Sequence, residues 1–312
     1  MAPHSAPGHG IVRLIKTIHD HLTPMPSRQL ATLLTDLMPS TAPPPSPILP
    51  LGAHLVYFPP LMPASELAPD GADADHVPPG FTLTTPEDTT TTSSATGGRR
   101  LWVGGELTFR DGWASRLRLD GRPAVCVETI EAVTPKDAGR KTFVDIARTY
   151  GLSADETDIH ERRTLCFVAD DGATAPTAPK ILRSPHQPTA SYTFTPTPAH
   201  LFHFSALTYN AHFIHLDRQS ALVHGPLILT LMLRALASQR SAAAAATAAS
   251  SLAHFSYRNL APLGVGQQTR VCVRAPSGEQ RDGRGREMWD VWVEGPEGGM
   301  VARGRAHMSP QS

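Results

Sequence analysis

Only three of the 312 residues are cysteine, Cys126, Cys166 and Cys272. They share no close spacing, which excludes a disulfide scaffold, a zinc ribbon and a paired redox motif. Aromatic residues make up 6% of the chain, and 28 basic side chains meet 28 acidic ones. No basic field is present to drive binding to nucleic acid or to an anionic membrane. Apolar runs are short as well, and none approaches the roughly 20 residues that cross a bilayer. The first 19 residues lack Asp and Glu but carry Arg13 and Lys16, a composition compatible with a transit peptide.

What the chain does have is punctuation, with 30 prolines and 24 glycines. A chain of this length forms one large domain or two of ordinary size. Residues 1–26 read as a disordered or targeting segment, within which Ile11–Leu22 has the pattern of a short amphipathic helix. Ser27 can cap a helix whose Leu30, Leu33, Leu34 and Leu37 fall on one face. Pro39 ends it, and a Pro-rich connector runs to Pro50. His54–Phe58 reads as a strand and Pro59–Gly98 as mostly loop. From Leu101 the apolar period becomes two, predicting strands over Leu101–Phe109, Ala124–Val133, Lys141–Arg148 and Arg162–Val168. A polar linker over 171–191 separates this first unit (27–170) from a second (192–312). The second unit reads as a strand over Ala199–Leu207, a helix, and three closing strands over Thr269–Arg274, Glu287–Glu294 and Met300–Met308.

The helix of the second unit follows His224-Gly225-Pro226. From Leu227 to Leu236 only Thr230 and Arg234 interrupt its apolar surface. A helix apolar nearly all round must be buried, and antiparallel strands bury it by curving around it. The fold class is therefore α+β, a double hot-dog with two such halves joined edge to edge, which removes exposed sheet edges. Pro226 suits the first turn of the helix. Gly225 allows close approach to its amino end, where unpaired N–H groups favour negative charge. Just upstream lies the densest polar cluster in the chain, Asn210, His212, His215 and Asp217.

That cluster, Asn210-x-His212-x-x-His215-x-Asp217, resembles the signature of the fungal and mitochondrial 3-hydroxyacyl-thioester dehydratases. These are double hot-dog members of the MaoC-like, R-specific enoyl-thioester hydratase superfamily. The resemblance extends to Val223-His224-Gly225-Pro226-Leu227, to Phe255–Leu263, and in the first half to His54–Pro60 and Arg100–Leu107. It implies dehydration of an (R)-3-hydroxyacyl thioester of CoA or acyl carrier protein, or hydration of the trans-2-enoyl form. The family's best-known role is the dehydratase step of mitochondrial fatty-acid synthesis. The resemblance thus implies a mitochondrial protein, or otherwise a cytoplasmic one, acting as a monomeric pseudo-dimer or a homodimer.

The chemistry points the same way. Dehydration needs a base for the α-proton and an acid for the leaving hydroxyl, and one histidine can serve both near neutral pH. His215 is the candidate, with Asn210 holding the water or hydroxyl. The Gly225 N–H is the donor for enolate-like charge. His212, Asp217 and His224 are candidates for binding or positioning. His212 and Asp217 serve equally well to shape the loop, and His224 to position the turn. No metal or cofactor is required. The wider superfamily motif Asp-x-Asn-Pro-x-His places Asn210 where its aspartate stands and His212 at its asparagine. The chain also departs from the family between Asp217 and His224, where six residues (218–223) replace a much longer stretch. Six residues reach only about 20 Å when extended, so the connection must be tight, and a remodelled pocket or a site without activity would follow. Two alternatives share the reaction class: a hydratase of a branched dicarboxyl thioester such as mesaconyl-CoA, and a secondary-metabolite dehydratase. A third, from another class, is a hot-dog scaffold that binds acyl thioesters without turning them over.

Overall fold

The computed structural model describes residues 13–38, 47–83, 97–169, 181–217, 221–239, 252–276 and 282–309. Ten strands form one antiparallel sheet. In the first half they are β1 (Arg13–His21), β2 (Gly98–Phe109), β3 (Pro123–Lys136), β4 (Lys141–Gly151) and β5 (Ile159–Ala169). In the second half they are β6 (Ala190–Phe194), β7 (Leu252–Asn259), β8 (Thr269–Arg274), β9 (Glu287–Glu294) and β10 (Met300–Met308). The order across the sheet is β1-β3-β4-β5-β2-β7-β10-β9-β8-β6. Read inward from each edge, both halves follow one permutation: first strand, third, fourth, fifth, second. They meet where β2 pairs with β7, Leu107 opposite Phe255 and Gly105 opposite Tyr257.

Four helices accompany the sheet: α1 (Pro24–Leu37), the short α2 (Trp113–Arg116), α3 (Pro198–Thr208) and α4 (Gly225–Ser238). In α1 the spacing seen in the sequence holds, and Leu30, Leu33, Leu34 and Leu37 are all buried. In α4 every residue from Leu227 to Leu236 is buried. It packs against β8, β9 and β2 and against the turn at Ala53–Val56, so the sheet wraps it as its composition requires. Small residues at Ala302, Gly304 and Ala306 of β10 leave room for large ones, since a Cβ on Gly304 would lie 2.5 Å from the Phe255 ring.

Three segments depart from the sequence reading. Residues 13–21, read as part of an amphipathic helix, are strand β1, paired with β3 from Arg13↔Ile130 to His21↔Pro123. Ile15, Thr17 and Ile18 favour an extended chain, and pairing with β3 outweighs the weak helical period. Strand β1 therefore lies within residues 1–26, the segment read as disordered or targeting. The His54–Phe58 stretch is a single 3₁₀ turn at Ala53–Val56, and Phe58 is left-handed at φ 55°. Its apolar run reflects complete burial rather than pleating. Ala199–Leu207 is helix α3, with Pro198 in its first turn and Thr197 and His200 capping each other. The buried positions Leu201, Phe204 and Ser205 carry a helical period. Strands β6 and β7 had no counterpart in the pattern of alternation, and β6 begins inside the polar linker. The Ala-rich tract at 241–251 and the Thr/Ser tract at 89–94 lie outside the described residues.

Candidate active site

Helix α3 delivers the polar cluster. Tyr209 ends it in the left-handed region at φ 53°, which turns the chain toward Asn210. The Asn210 side-chain oxygen then accepts the His212 backbone N–H at 2.9 Å. His212 Nδ1 accepts the Ile214 N–H at 3.2 Å, and Phe213–His215 close as a 3₁₀ turn. The shortened connection is tight, as expected: the Leu222 N–H returns to the Ile214 carbonyl at 2.7 Å, and Val223 N–H bonds the Leu263 carbonyl at 2.8 Å. Residues 218–220 lie outside the described chain.

These bonds fix two histidines in opposite tautomers. His215 Nδ1 lies 2.7 Å from the Leu222 carbonyl. A carbonyl can only accept, so Nδ1 carries the proton and the lone pair sits on Nε2. His212 is the reverse: Nδ1 accepts, so Nε2 carries the proton. That nitrogen lies 3.4 Å from Asp70 Oδ2, without the alignment of a hydrogen bond. The His215 ring stacks on His224 with centroids 3.7 Å apart, and His224 Nε2 is 2.8 Å from the Ser205 hydroxyl. His224 directly precedes Gly225, so the stack brings His215 to the amino end of α4. The Gly225 N–H makes no hydrogen bond among the described residues. Asp217 bonds through its backbone N–H to the Phe213 carbonyl at 3.1 Å, which closes the turn beneath His215.

Burial keeps all three rings neutral. It lowers His215 to about 4, partly opposed by the Leu222 carbonyl. It lowers His212 to about 3, opposed by the Asp70 carboxylate, and drives His224 well below the ordinary histidine value. His54, buried in the first half, is lowered to about 4 by the same cause. In the unfolded chain these rings take a proton near pH 6.5, whereas the folded chain resists it until about pH 4. Their contribution to stability is therefore complete above pH 6.5 and is lost as the pH falls through that window. Each ring can cost up to about 1.4 kcal/mol per pH unit there. Urea midpoints are expected to be flat from pH 8 to 7 and to fall steeply between pH 6.5 and 4.5. A flat profile across the lower range would mean that the rings are solvated.

Several site residues come from outside the cluster. Asp70, in the loop before β2, is buried and grips the buried Arg100 with both oxygens, at 2.6 and 2.9 Å. The Asp70 carbonyl also accepts the Phe213 N–H at 3.1 Å. Gly71 lies against the Ala211 carbonyl at φ 79°, where no side chain would fit. The first half thus supports the histidine loop of the second. At Gly225 a Cβ would lie 3.1 Å from Trp102 Cγ and 3.1 Å from Asn259 Nδ2. Asn259 Nδ2 donates to the Trp102 carbonyl at 2.9 Å. Trp102 and Asn259 fall within stretches that resembled the dehydratases. For Asp70 the sequence offers only an Asp-Gly pair in a loop.

The sequence profile of the hydroxyacyl-thioester dehydratase type 2 family matches residues 52–265, well over half of the chain. The chain belongs to this family. Its members are hydro-lyases that act on acyl thioesters. Over 283 residues the chain is 29% identical to mesaconyl-C(4)-CoA hydratase of Chloroflexus aurantiacus, covering 87% of this chain and 88% of that one. Over 251 residues it is 27% identical to the mitochondrial hydroxyacyl-thioester dehydratase type 2 of Schizosaccharomyces pombe, covering 71% and 76%. The fold resembles the MaoC-like dehydratase of Phytophthora capsici at a TM-score of 0.53 and 12% identity, over 97% of this chain and 96% of that one. The double hot-dog reading therefore holds, with a sheet that stays open at β1 and β6. Among the described residues no helix is long and apolar enough to cross a membrane.

Proposed function

We propose that this family member interconverts a 3-hydroxyacyl thioester and its trans-2-enoyl form, with His215 as the acid and base. One observation carries the reading: a neutral imidazole, its tautomer set by the Leu222 carbonyl at 2.7 Å, is stacked beside the open amino end of α4. The thioester carbonyl docks on the Gly225 N–H, which stabilises the negative charge that develops as the α-proton leaves. His215 Nε2 takes that proton from C2. The C2–H electron pair forms the C2=C3 double bond, and the C3–O bond breaks. The same proton passes from His215 to the departing hydroxyl, giving the enoyl thioester and water. Asn210 Oδ1 is committed to the His212 N–H, so its Nδ2 is the atom that holds the hydroxyl oxygen. His212, His224 and Asp217 shape the loop and the turn around the substrate.

The second half, from residue 192, is the catalytic one, and the first half closes the site. Because β2–β7 pairing inside one chain does the work of a subunit interface, the enzyme acts as a monomeric pseudo-dimer. CoA or acyl carrier protein is the carrier. The S. pombe relative is named mitochondrial, which favours a mitochondrial dehydratase step in acyl metabolism. The C. aurantiacus relative is named for mesaconyl-C(4)-CoA, and a dicarboxyl thioester is the second candidate for the acyl group. The test is hydration of crotonyl-CoA followed by loss of enoyl absorbance. Turnover is expected at neutral pH. Tight binding of the thioester with no absorbance change over hours would leave an acyl-binding scaffold instead.

A further inference from the structure

At the seam between β2 and β7, two side-chain donors of one inward row lack acceptors, while Asn259 Oδ1 outside that row is a buried acceptor without a donor. Gly105 on β2 is the register partner of both Arg163 on β5 and Tyr257 on β7. The three lie in one row on the inner face, which Arg163 shares with the buried Ile159, Glu161 and Leu165. Gly105 has no side chain to fill the row, and a Cβ there would sit 3.1 Å from Tyr257 Oη. Trp102 Nε1 donates to that hydroxyl at 2.9 Å, so the phenol proton itself remains available, with no acceptor among the described residues. Arg163 gives Nε and Nη2 to Glu161 at 2.7 and 2.8 Å, and Nη2 also reaches Tyr150 at 3.2 Å. Its Nη1 makes no hydrogen bond among the described residues, and the side chain keeps 13% exposure. Tyr150 also donates to Glu161 at 2.5 Å, so among the described residues the carboxylate accepts three hydrogen bonds and none of them comes from Arg163 Nη1. Arg148 also bears on this carboxylate, while its own ion-pair partner is the buried Glu128 at 3.2 Å.

This row adjoins the reacting end. The Arg163 guanidinium lies 5.0 Å from the centre of the Trp102 ring, and Trp102 also walls Gly225. One indole therefore separates the free donors from the amide that receives the thioester carbonyl. Donors with no acceptor suit a group that only accepts, and a carboxylate with its four lone-pair positions fits a guanidinium and a phenol. A methyl group in the same place would leave those donors unpaired and desolvated.

The geometry points to a carboxylate subsite at this seam, in which Arg163 and Tyr257 bind a carboxylate at the far end of a short acyl chain. It rests on the placement of the thioester at Gly225 and adds the chemical class of the acyl group. Crotonyl-CoA and the fumaryl monothioester of CoA have the same carbon count and differ at the end as methyl against carboxylate. The full-length enzyme is expected to show kcat/KM at least about 100-fold higher on the carboxylated thioester, since sites built to bond a polar group discriminate strongly against analogues lacking it. Arg163→Lys keeps a cation beside Glu161 but loses the fork, and Tyr257→Phe removes one donor. Each should cut the ratio between the two substrates tenfold or more. If Arg163→Lys fails to fold, Tyr257→Phe decides alone. A wild-type ratio near one or below it, or a ratio unchanged in the folded variants, overturns the subsite. If neither thioester is hydrated, the hydro-lyase reading fails and calorimetric binding decides the subsite: tenfold tighter binding of the carboxylated thioester supports it, and equal or weaker binding overturns it.

Discussion

His215→Asn is expected to lower kcat on an enoyl thioester by about 10²- to 10⁴-fold, the usual contribution of a positioned acid and base. Asparagine can still offer an N–H toward the Leu222 carbonyl, which His215 holds at 2.7 Å, but it has no basic nitrogen. His215→Ala should lose as much activity and also some stability, because the carbonyl loses its donor at an estimated cost of about 1–3 kcal/mol. Comparing the two variants separates chemistry from structure. Rates come from enoyl absorbance and stability from thermal unfolding. If either variant keeps more than a tenth of the wild-type rate, His215 is not the base. Both variants should leave KM within a few-fold, because the imidazole meets the substrate chiefly as the proton moves.

Asp70→Ala should have the largest effect on stability. The Arg100 guanidinium is 6% exposed and takes both Asp70 oxygens. Removing the carboxylate leaves a buried cation without its partner, which typically costs 3–5 kcal/mol. For a chain of this size each kcal/mol lowers Tm by about 2–4 °C, so a drop of roughly 10 °C is expected by scanning calorimetry. A change under 2 °C would mean that water reaches Arg100. The Asp70 backbone carbonyl that receives the Phe213 N–H survives the substitution, but the carboxylate 3.4 Å from His212 Nε2 is lost, so the histidine loop should loosen together with the fold and activity should fall further than stability alone explains. Arg100→Met with Asp70→Leu, which removes both charges, should recover much of the lost stability.

The sequence revealed most where one physical demand acted alone. The apolar circumference of α4 requires complete burial, and Leu227–Leu236 are buried throughout. Strands β3, β4, β5, β8, β9 and β10 stand where alternation placed them, although Val271–Val273 and Val291–Val293 are covered on both faces. Where two demands competed, the local pattern misled. Arg13–His21 carries a weak helical period, but β3 offered an unpaired edge and pairing prevailed. Ala199–Leu207 is apolar enough for either state, and the Thr197–His200 cap settles it as helix. In the site, Asn210, His212, His215, His224 and Gly225 are close in sequence, so spacing alone gathers them. Asp70, Trp102 and Asn259 reach the same place only through the β2–β7 seam, and no local pattern encodes a contact between residues so far apart in the chain.

The two halves repeat one strand order, yet among the described residues only α4 of the second half is a long helix wrapped by the sheet. Fourteen residues of α4 fill the second half, whereas the corresponding place in the first holds one turn, Ala53–Val56. The first half packs Tyr57, Phe58, Tyr150 and the Glu161–Arg163 pair there instead. Under the proposed mechanism labour is divided accordingly: the proton-moving groups belong to the second half, while the first shapes what enters. Substitutions around that pair in the first half would then exchange one acyl group for another and leave the proposed reacting groups in place.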